Sequence, residues 1–261
     1  MSPRLRARFT KTGKVRFVSH RDLARIWERA LRRAGVPVAY TEGFSPRPKL
    51  SFGLALSTGY ESLGEYLDIS VRDGAQPDVD IEQLPTLLTG VLPVGIEVQA
   101  VVGLEHRVES LQQGVTSCTW HIELTGADAA AVSAAVDDAL AAGELVISRT
   151  RKGHEAVEDI RSGIVTARVL GPAPSGATVV EAELATQPRG LRPAELVRAL
   201  DPANRPRSGP AREGARSELW SIEVRRVVRI HQWTHVGGAR QEVIPLPSAA
   251  TLARTQQARA S

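Results

Sequence analysis

Apolar and polar positions alternate along residues 4–10 and again along 14–18, on either side of a Lys11–Thr12–Gly13–Lys14 turn. A period of two marks a strand with one buried face, so the chain is expected to open with a β-hairpin. The period then lengthens. Leu23, Ile26, Trp27, Ala30, Leu31 and Ala34 recur at helical spacing and predict a helix over about 20–34. Ser19 stands at its N-cap, with Asp22 in the capping-box position. Gly35 follows as the C′ residue, and Pro37 bars continuation. A short strand is expected over 36–40, then strands near 50–56 and 63–71. A second helix fits 79–91, where Ile81, Leu84, Leu87, Leu88 and Val91 are apolar and Pro85 falls in the tolerant first turn. A strand over 95–103 closes the unit. Apart from the hairpin, the order is β-α-β-β-α-β, the split βαβ arrangement.

After a linker near 104–114 the same order recurs. Residues 115–125 read as a strand, 127–141 as an Ala-rich helix and 144–150 as a strand. A strand pair follows over 164–170 and 178–185. Pro193 suits the N1 position of a helix ending near Leu200, and 218–230 reads as the last long strand. The expected class is α+β, with two tandem ferredoxin-like (split βαβ) domains and an extra N-terminal hairpin. The domains span 1–104 and 115–236. Residues 201–217, rich in Pro, Gly and Arg, and the polar tail 247–261 are expected outside the core.

Composition narrows the function classes. Only 4% of the 261 residues are aromatic, so the core must rest on Leu, Val, Ile and Ala. No stretch approaches the roughly 20 apolar residues of a membrane span, and the N-terminus lacks the apolar region of a secretory signal. The one cysteine, Cys118, excludes an intramolecular disulfide framework and any Cys-based cage built by this chain alone. A cytoplasmic location is expected, with no membrane partner and no cofactor held by this chain.

Charge changes the picture most. Residues 1–49 hold 13 Lys and Arg against 3 Asp and Glu, a net of +10. The remainder holds 20 against 26, a net of −6. A basic first fifth on an acidic remainder points to a polyanionic partner. The 20–34 helix carries Arg21, Arg25, Arg29, Arg32 and Arg33 opposite its apolar stripe, and Glu28 is placed to pair with Arg32. Such a ridge suits phosphate contacts along RNA. Arg47 and Lys49, set among prolines in Pro46–Arg47–Pro48–Lys49, are expected on a stiff arm. His20 lies at the start of the ridge, and Arg6, Arg8, Lys14 and Arg16 would extend it if their side chains faced the same way.

Other candidates are weaker. The loop Ser57–Gly64 lacks the spacing and the Lys of a phosphate-binding loop and reads as a turn, though Tyr60 within it could stack on a base. His231 and His235 are four apart in strand-like sequence, which does not bring them to one helix face as a metal pair.

Val15–Arg16–Phe17–Val18–Ser19–His20–Arg21–Asp22–Leu23 resembles one block of the radical-SAM-linked domain family. Further blocks are the run from Pro37 to Lys49, Ser51–Phe52–Gly53, Gly59–Tyr60–Glu61–Ser62 and Glu65–Tyr66–Leu67–Asp68. Glu158–Asp159–Ile160–Arg161 extends the similarity. Members are fused to radical SAM proteins or encoded as separate chains, often near genes of RNA metabolism. The resemblance implies a radical SAM protein as partner. This chain lacks the CxxxCxxC motif, so that partner would supply the iron–sulfur cluster.

The combined expectation is an RNA-binding accessory protein that presents a structured ribosomal or transfer RNA to a radical SAM enzyme. Its RNA contacts would be Arg16, His20, Arg21, Arg25, Arg29, Arg32, Arg47 and Lys49. Two alternatives stand beside it. One is an RNA-modifying or RNA-cleaving enzyme with an inter-domain active site, since tandem ferredoxin-like architectures occur in pseudouridine synthases and CRISPR repeat-processing endonucleases. Asp22, Asp68, Asp159 or His20 would then act in catalysis. The other is a protein-only interaction scaffold.

Overall fold

The computed structural model describes residues 3–74, 80–104, 108–151, 154–201 and 221–246. The calls on residues 201–217 and 247–261 fall almost entirely outside them. The chain is mixed α+β, with mostly antiparallel strands and few helices, and divides into two compact units. The first takes the described residues up to Thr58, Leu63–Gly114 and those from Thr234 onward; the second takes Gly59–Ser62 and Val115–Trp233.

In the first unit, β1 (Arg4–Lys11) leads to α1 (His20–Arg33), β2 (Leu50–Phe52), β3 (Glu61–Ser70), α2 (Leu84–Val91), β4 (Val98–Leu104) and a single helical turn, α3 (Leu111–Gly114). β4 and β2 run antiparallel to β1 and β3 respectively, and the order across the sheet is β4-β1-β3-β2. Leu5, Ala7 and Phe9 of β1 join Leu67 and Ile69 of β3 in one core with Leu23, Trp27 and Leu31 of α1 and Leu84 and Leu88 of α2. Phe9 meets Trp27 edge to face at 4.9 Å. Ser19 caps α1, its Oγ accepting from the Asp22 N–H at 3.2 Å. Gly35, at φ +69, ends the helix and lets Val36 N–H reach back to the Leu31 carbonyl.

The alternate residues of β1 are also buried, because the sheet is covered on both faces. Arg6 makes a bidentate pair with Asp68 at 2.6 and 2.8 Å. Arg8 pairs with Glu242 and donates to the Ile244 carbonyl. Tyr66, Leu111 and Ile244 form a small apolar cluster of their own.

The expected N-terminal hairpin is absent. Gly13–Phe17 is a 3₁₀ turn instead. β1 already has β4 and β3 as neighbours, so no edge remains for a strand at 14–18. Gly13 turns left-handed at φ +64, and of this segment only Val15 is buried. The strand expected over 36–40 reduces to two isolated bridges, Val38 to Val71 and Tyr40 to Pro48.

The second unit comprises β5 (Val115–Thr125), α4 (Ala129–Ala141), β6 (Val146–Arg151), β7 (His154–Asp159), β8 (Ile164–Pro172), β9 (Thr178–Ala185), α5 (Pro193–Leu200) and β10 (Glu223–Val236). Its main sheet has the order β10-β5-β9-β8. Glu61 and Ser62 lie parallel to Val228 and Arg229 of β10. Counted within each unit, and setting β6 and β7 aside, both sheets run fourth-first-third-second. β6 does not join the main sheet, as the expected strand over 144–150 implied; it pairs with β7 in a separate hairpin. The sequence of β7 is mostly polar, and its Val157 is 72% exposed, so no period marked it. β11 (Ala239–Glu242) belongs to the first unit.

Candidate nucleic-acid interface

Helical geometry sets the ridge. At 3.6 residues per turn, Arg21, Arg25, Arg29 and Arg32 fall within an arc of about 80°, opposite Leu23, Trp27, Ala30 and Leu31. They span about 16 Å along the axis. All four are exposed, as are Arg33, Lys14, His20, Arg47 and Lys49, while Arg16 is half-buried. Arg25 makes a solvent-exposed pair with Asp22 at 3.3 Å. Among the described residues, Arg21, Arg29 and Arg32 have no carboxylate partner, and the expected Glu28–Arg32 pair does not form. Nothing within the described chain neutralises most of this charge.

The arm that carries Arg47 and Lys49 is a closed loop rather than an extended strut. Thr41 N–H donates to the Arg47 carbonyl at 2.8 Å, and Arg47 N–H returns to Thr41 Oγ1 at 3.0 Å. Lys49 N–H donates to the Ala39 carbonyl. The proline effect foreseen for the arm is thus reinforced by backbone ties, and both cations are held outward. The His20 ring packs edge-on against Phe52 at 5.0 Å, which sets the start of α1 against β2, three residues beyond Lys49. The Arg16 guanidinium lies over the Phe17 ring at 4.7 Å.

Arg6 and Arg8 do not extend the ridge. They are 6% and 4% exposed, and their charges are spent on Asp68 and Glu242. The sequence could not separate them from the exposed arginines, because a strand covered on both faces buries both parities. The three aspartates of the catalytic alternative are likewise occupied. Asp22 serves the helix cap, and Asp68 is tied to Arg6. Asp159 accepts from the Leu145 and Arg161 backbone N–H groups at 2.8 and 2.9 Å, which holds its carboxyl below the usual range. His20 touches no carboxylate among the described residues, so it has none of the orienting partners a general base uses.

Other features escaped the sequence reading. Phe17, Tyr40 and Phe44 are exposed aromatics in the first unit. In the second, His121 and Glu181 face each other across β5 and β9, with Nε2 to Oε2 at 3.1 Å, and Arg168 closes on Glu181 at 2.7 Å. Burial alone would raise the Glu181 carboxyl, but the hydrogen bonds from His121 and Arg168 outweigh it and hold the group below its ordinary value. The alternation of β5 carried this signal, since it places His121 opposite in parity to Trp120 and Ile122. Arg226 binds Glu61 and Glu123, and Arg229 lies buried over Trp120 at 5.2 Å. Tyr60 is half-buried and meets Trp120 edge to face at 6.2 Å, so it is already engaged in packing.

The fold and this surface define an α+β protein whose first unit carries an outward basic helix face. No described helix is long and apolar enough to cross a membrane. The chain belongs to the family described as uncharacterized proteins conserved in bacteria (DUF2344), whose model matches residues 4–193. No curated protein matches it.

Proposed function

We propose that this chain is an RNA-binding module built of two split βαβ domains, acting beside a separate radical SAM enzyme. The observation that carries the reading is the row of Arg21, Arg25, Arg29 and Arg32 on one exposed face of α1, three of them without a carboxylate partner among the described residues. Phosphates satisfy such a row and release their counterions in doing so. Arg47 and Lys49, on a loop tied at its base, add two preordered cations. Arg16 and His20 stand where the ridge begins.

The shared fourth-first-third-second strand order supports the ferredoxin-like reading of both units. The radical SAM partner rests on the resemblance of the blocks around Ser19–Leu23 and Pro37–Lys49. One buried thiol, Cys118, does not meet the usual ligand demand of an iron–sulfur cluster, so that chemistry belongs to the partner.

Ultraviolet crosslinking in cells, followed by sequencing of the bound RNA and mapping of the crosslinked peptides, tests the proposal. One structured RNA class should be enriched, with crosslinks in peptides from residues 14–49. Recovery of RNA at the level of an unrelated control protein would refute it.

A further inference from the structure

Phe17 is 61% exposed on a segment that is not free to move. The Lys11 ammonium donates to the carbonyls of Arg16 and Val18 at 3.4 and 3.2 Å. Val18 N–H closes the turn on the Val15 carbonyl, and Val15 itself is buried. Thr12 N–H binds the Gly95 carbonyl at 2.8 Å, where the two backbones come so close that a Cβ on Gly95 would lie 2.3 Å from the Thr12 oxygen. The ring is therefore displayed by a braced turn. A single exposed aromatic is ordinary on a protein surface. Here two further facts apply. The Arg16 guanidinium backs the ring at 4.7 Å, and the ring stands two residues before the cap of the basic helix.

We propose that Phe17, backed by Arg16, is a stacking platform for an unpaired base, so that the RNA taken by α1 has a single-stranded loop or bulge beside its stem. The inference rests on the reading of α1 as a phosphate-binding ridge. A phosphate backbone lying along Arg32 to Arg21 ends at the helix start capped by Ser19, two residues after Phe17. Bases within a duplex are stacked on one another and closed to a side chain, whereas an unpaired base offers its π-face to any exposed ring. A guanidinium on one side of the ring is compatible with a base on the other, giving a cation–aromatic–base stack.

The probes are a short RNA hairpin carrying 2-aminopurine in its loop and the same stem as a blunt duplex, each titrated with full-length protein. Wild type should bind the hairpin more tightly than the duplex and should change the 2-aminopurine fluorescence. Phe17→Ala should weaken hairpin binding by about 5- to 150-fold, leave duplex binding and the salt slope unchanged, and abolish the fluorescence change. Phe17→Trp should restore all three, which a mere folding defect would not allow. If wild type binds both RNAs and Phe17→Ala matches it on both, the platform is refuted while the ridge stands. If wild type binds neither RNA in a salt-dependent way, the ridge falls and the platform with it.

Discussion

α1 and α4 hold the same place in their units, after the first strand of a fourth-first-third-second sheet, yet their outer faces differ completely. α1 buries Leu23, Trp27, Ala30 and Leu31; α4 buries Val132, Ala135, Val136 and Ala139. Both are capped by a side-chain oxygen, from Ser19 and from Asp128. Outward, α1 shows Arg21, Arg25, Arg29 and Arg32, whereas α4 shows Ala130, Ala134 and Asp137 and contains no Lys or Arg. The architecture thus asks a helix in this position for an apolar stripe and a cap. It makes no demand on the solvent face, so packing within the unit does not account for the four arginines.

The largest effects should come from the parts both helices need and from the cations the fold does use. Trp27→Ala removes a fully buried side chain that touches Phe9 and should cost about 3–5 kcal/mol. The matching change on α4, Val136→Ala, deletes less and should cost about 2 kcal/mol. Asp68→Ala leaves the Arg6 guanidinium buried without its counterion and should cost about 3–5 kcal/mol. Urea unfolding measures all three. A loss under about 1 kcal/mol for Asp68→Ala would mean that the Arg6 charge reaches water, and the division between buried and exposed arginines would collapse.

The ridge predicts the opposite pattern. Replacing Arg25 and Arg29 together by Gln should change stability by no more than about 0.5 kcal/mol, since both are exposed. In a salt titration of RNA binding, the same pair should lower the slope of log affinity against log salt by about one to two units. Arg198→Gln on α5 is the control, because that side chain donates to the Ser148 carbonyl in the second unit; it should leave the slope alone. An unchanged slope in the double variant would reduce the ridge to a solvated helix face.

What the sequence disclosed follows the same division. β5, β9 and α5 stand where alternation and the Pro193 start put them, because each is an apolar run bounded by clear punctuation. The basic helix was legible for the same reason. The 14–18 segment misled because Val15 and Phe17 alternate like a strand, although Val15 alone is buried there and Phe17 points to solvent. β7 was missed because a hairpin outside the main sheets needs no apolar face. Arg6 and Arg8 cannot be told from ridge residues by sequence, because their partners lie distant along the chain, at Asp68 and Glu242. Pairings of that range have no local signal. His121 and Glu181 were overlooked on the same ground, being 60 residues apart.

That last pair sharpens the contrast between the units at the smallest scale. In the second unit four arginines are answered by carboxylates: Arg168 by Glu181, Arg226 by Glu61 and Glu123, Arg149 and Arg189 by Glu158 and Glu195. Such pairs should act on stability, where the ridge is proposed to act on binding. Glu181 is the test, because its carboxyl is held below the ordinary value despite burial, by His121 and Arg168. A carboxylate depressed in the folded state stabilises that state above the unfolded pKa of about 4.3 and loses the contribution as pH falls through the folded value. Glu181→Gln should therefore be less stable than wild type at neutral pH, by under about 1 kcal/mol given the partial exposure of the partners. The gap should close as the pH is taken below about 4, where the wild-type carboxyl also becomes neutral. Urea midpoints of the two proteins, followed from neutrality into acid, measure it. A gap that stays constant with pH would mean that Glu181 contributes shape and hydrogen bonds but no charge, and the second unit's arginines would then be no better answered than those of α1.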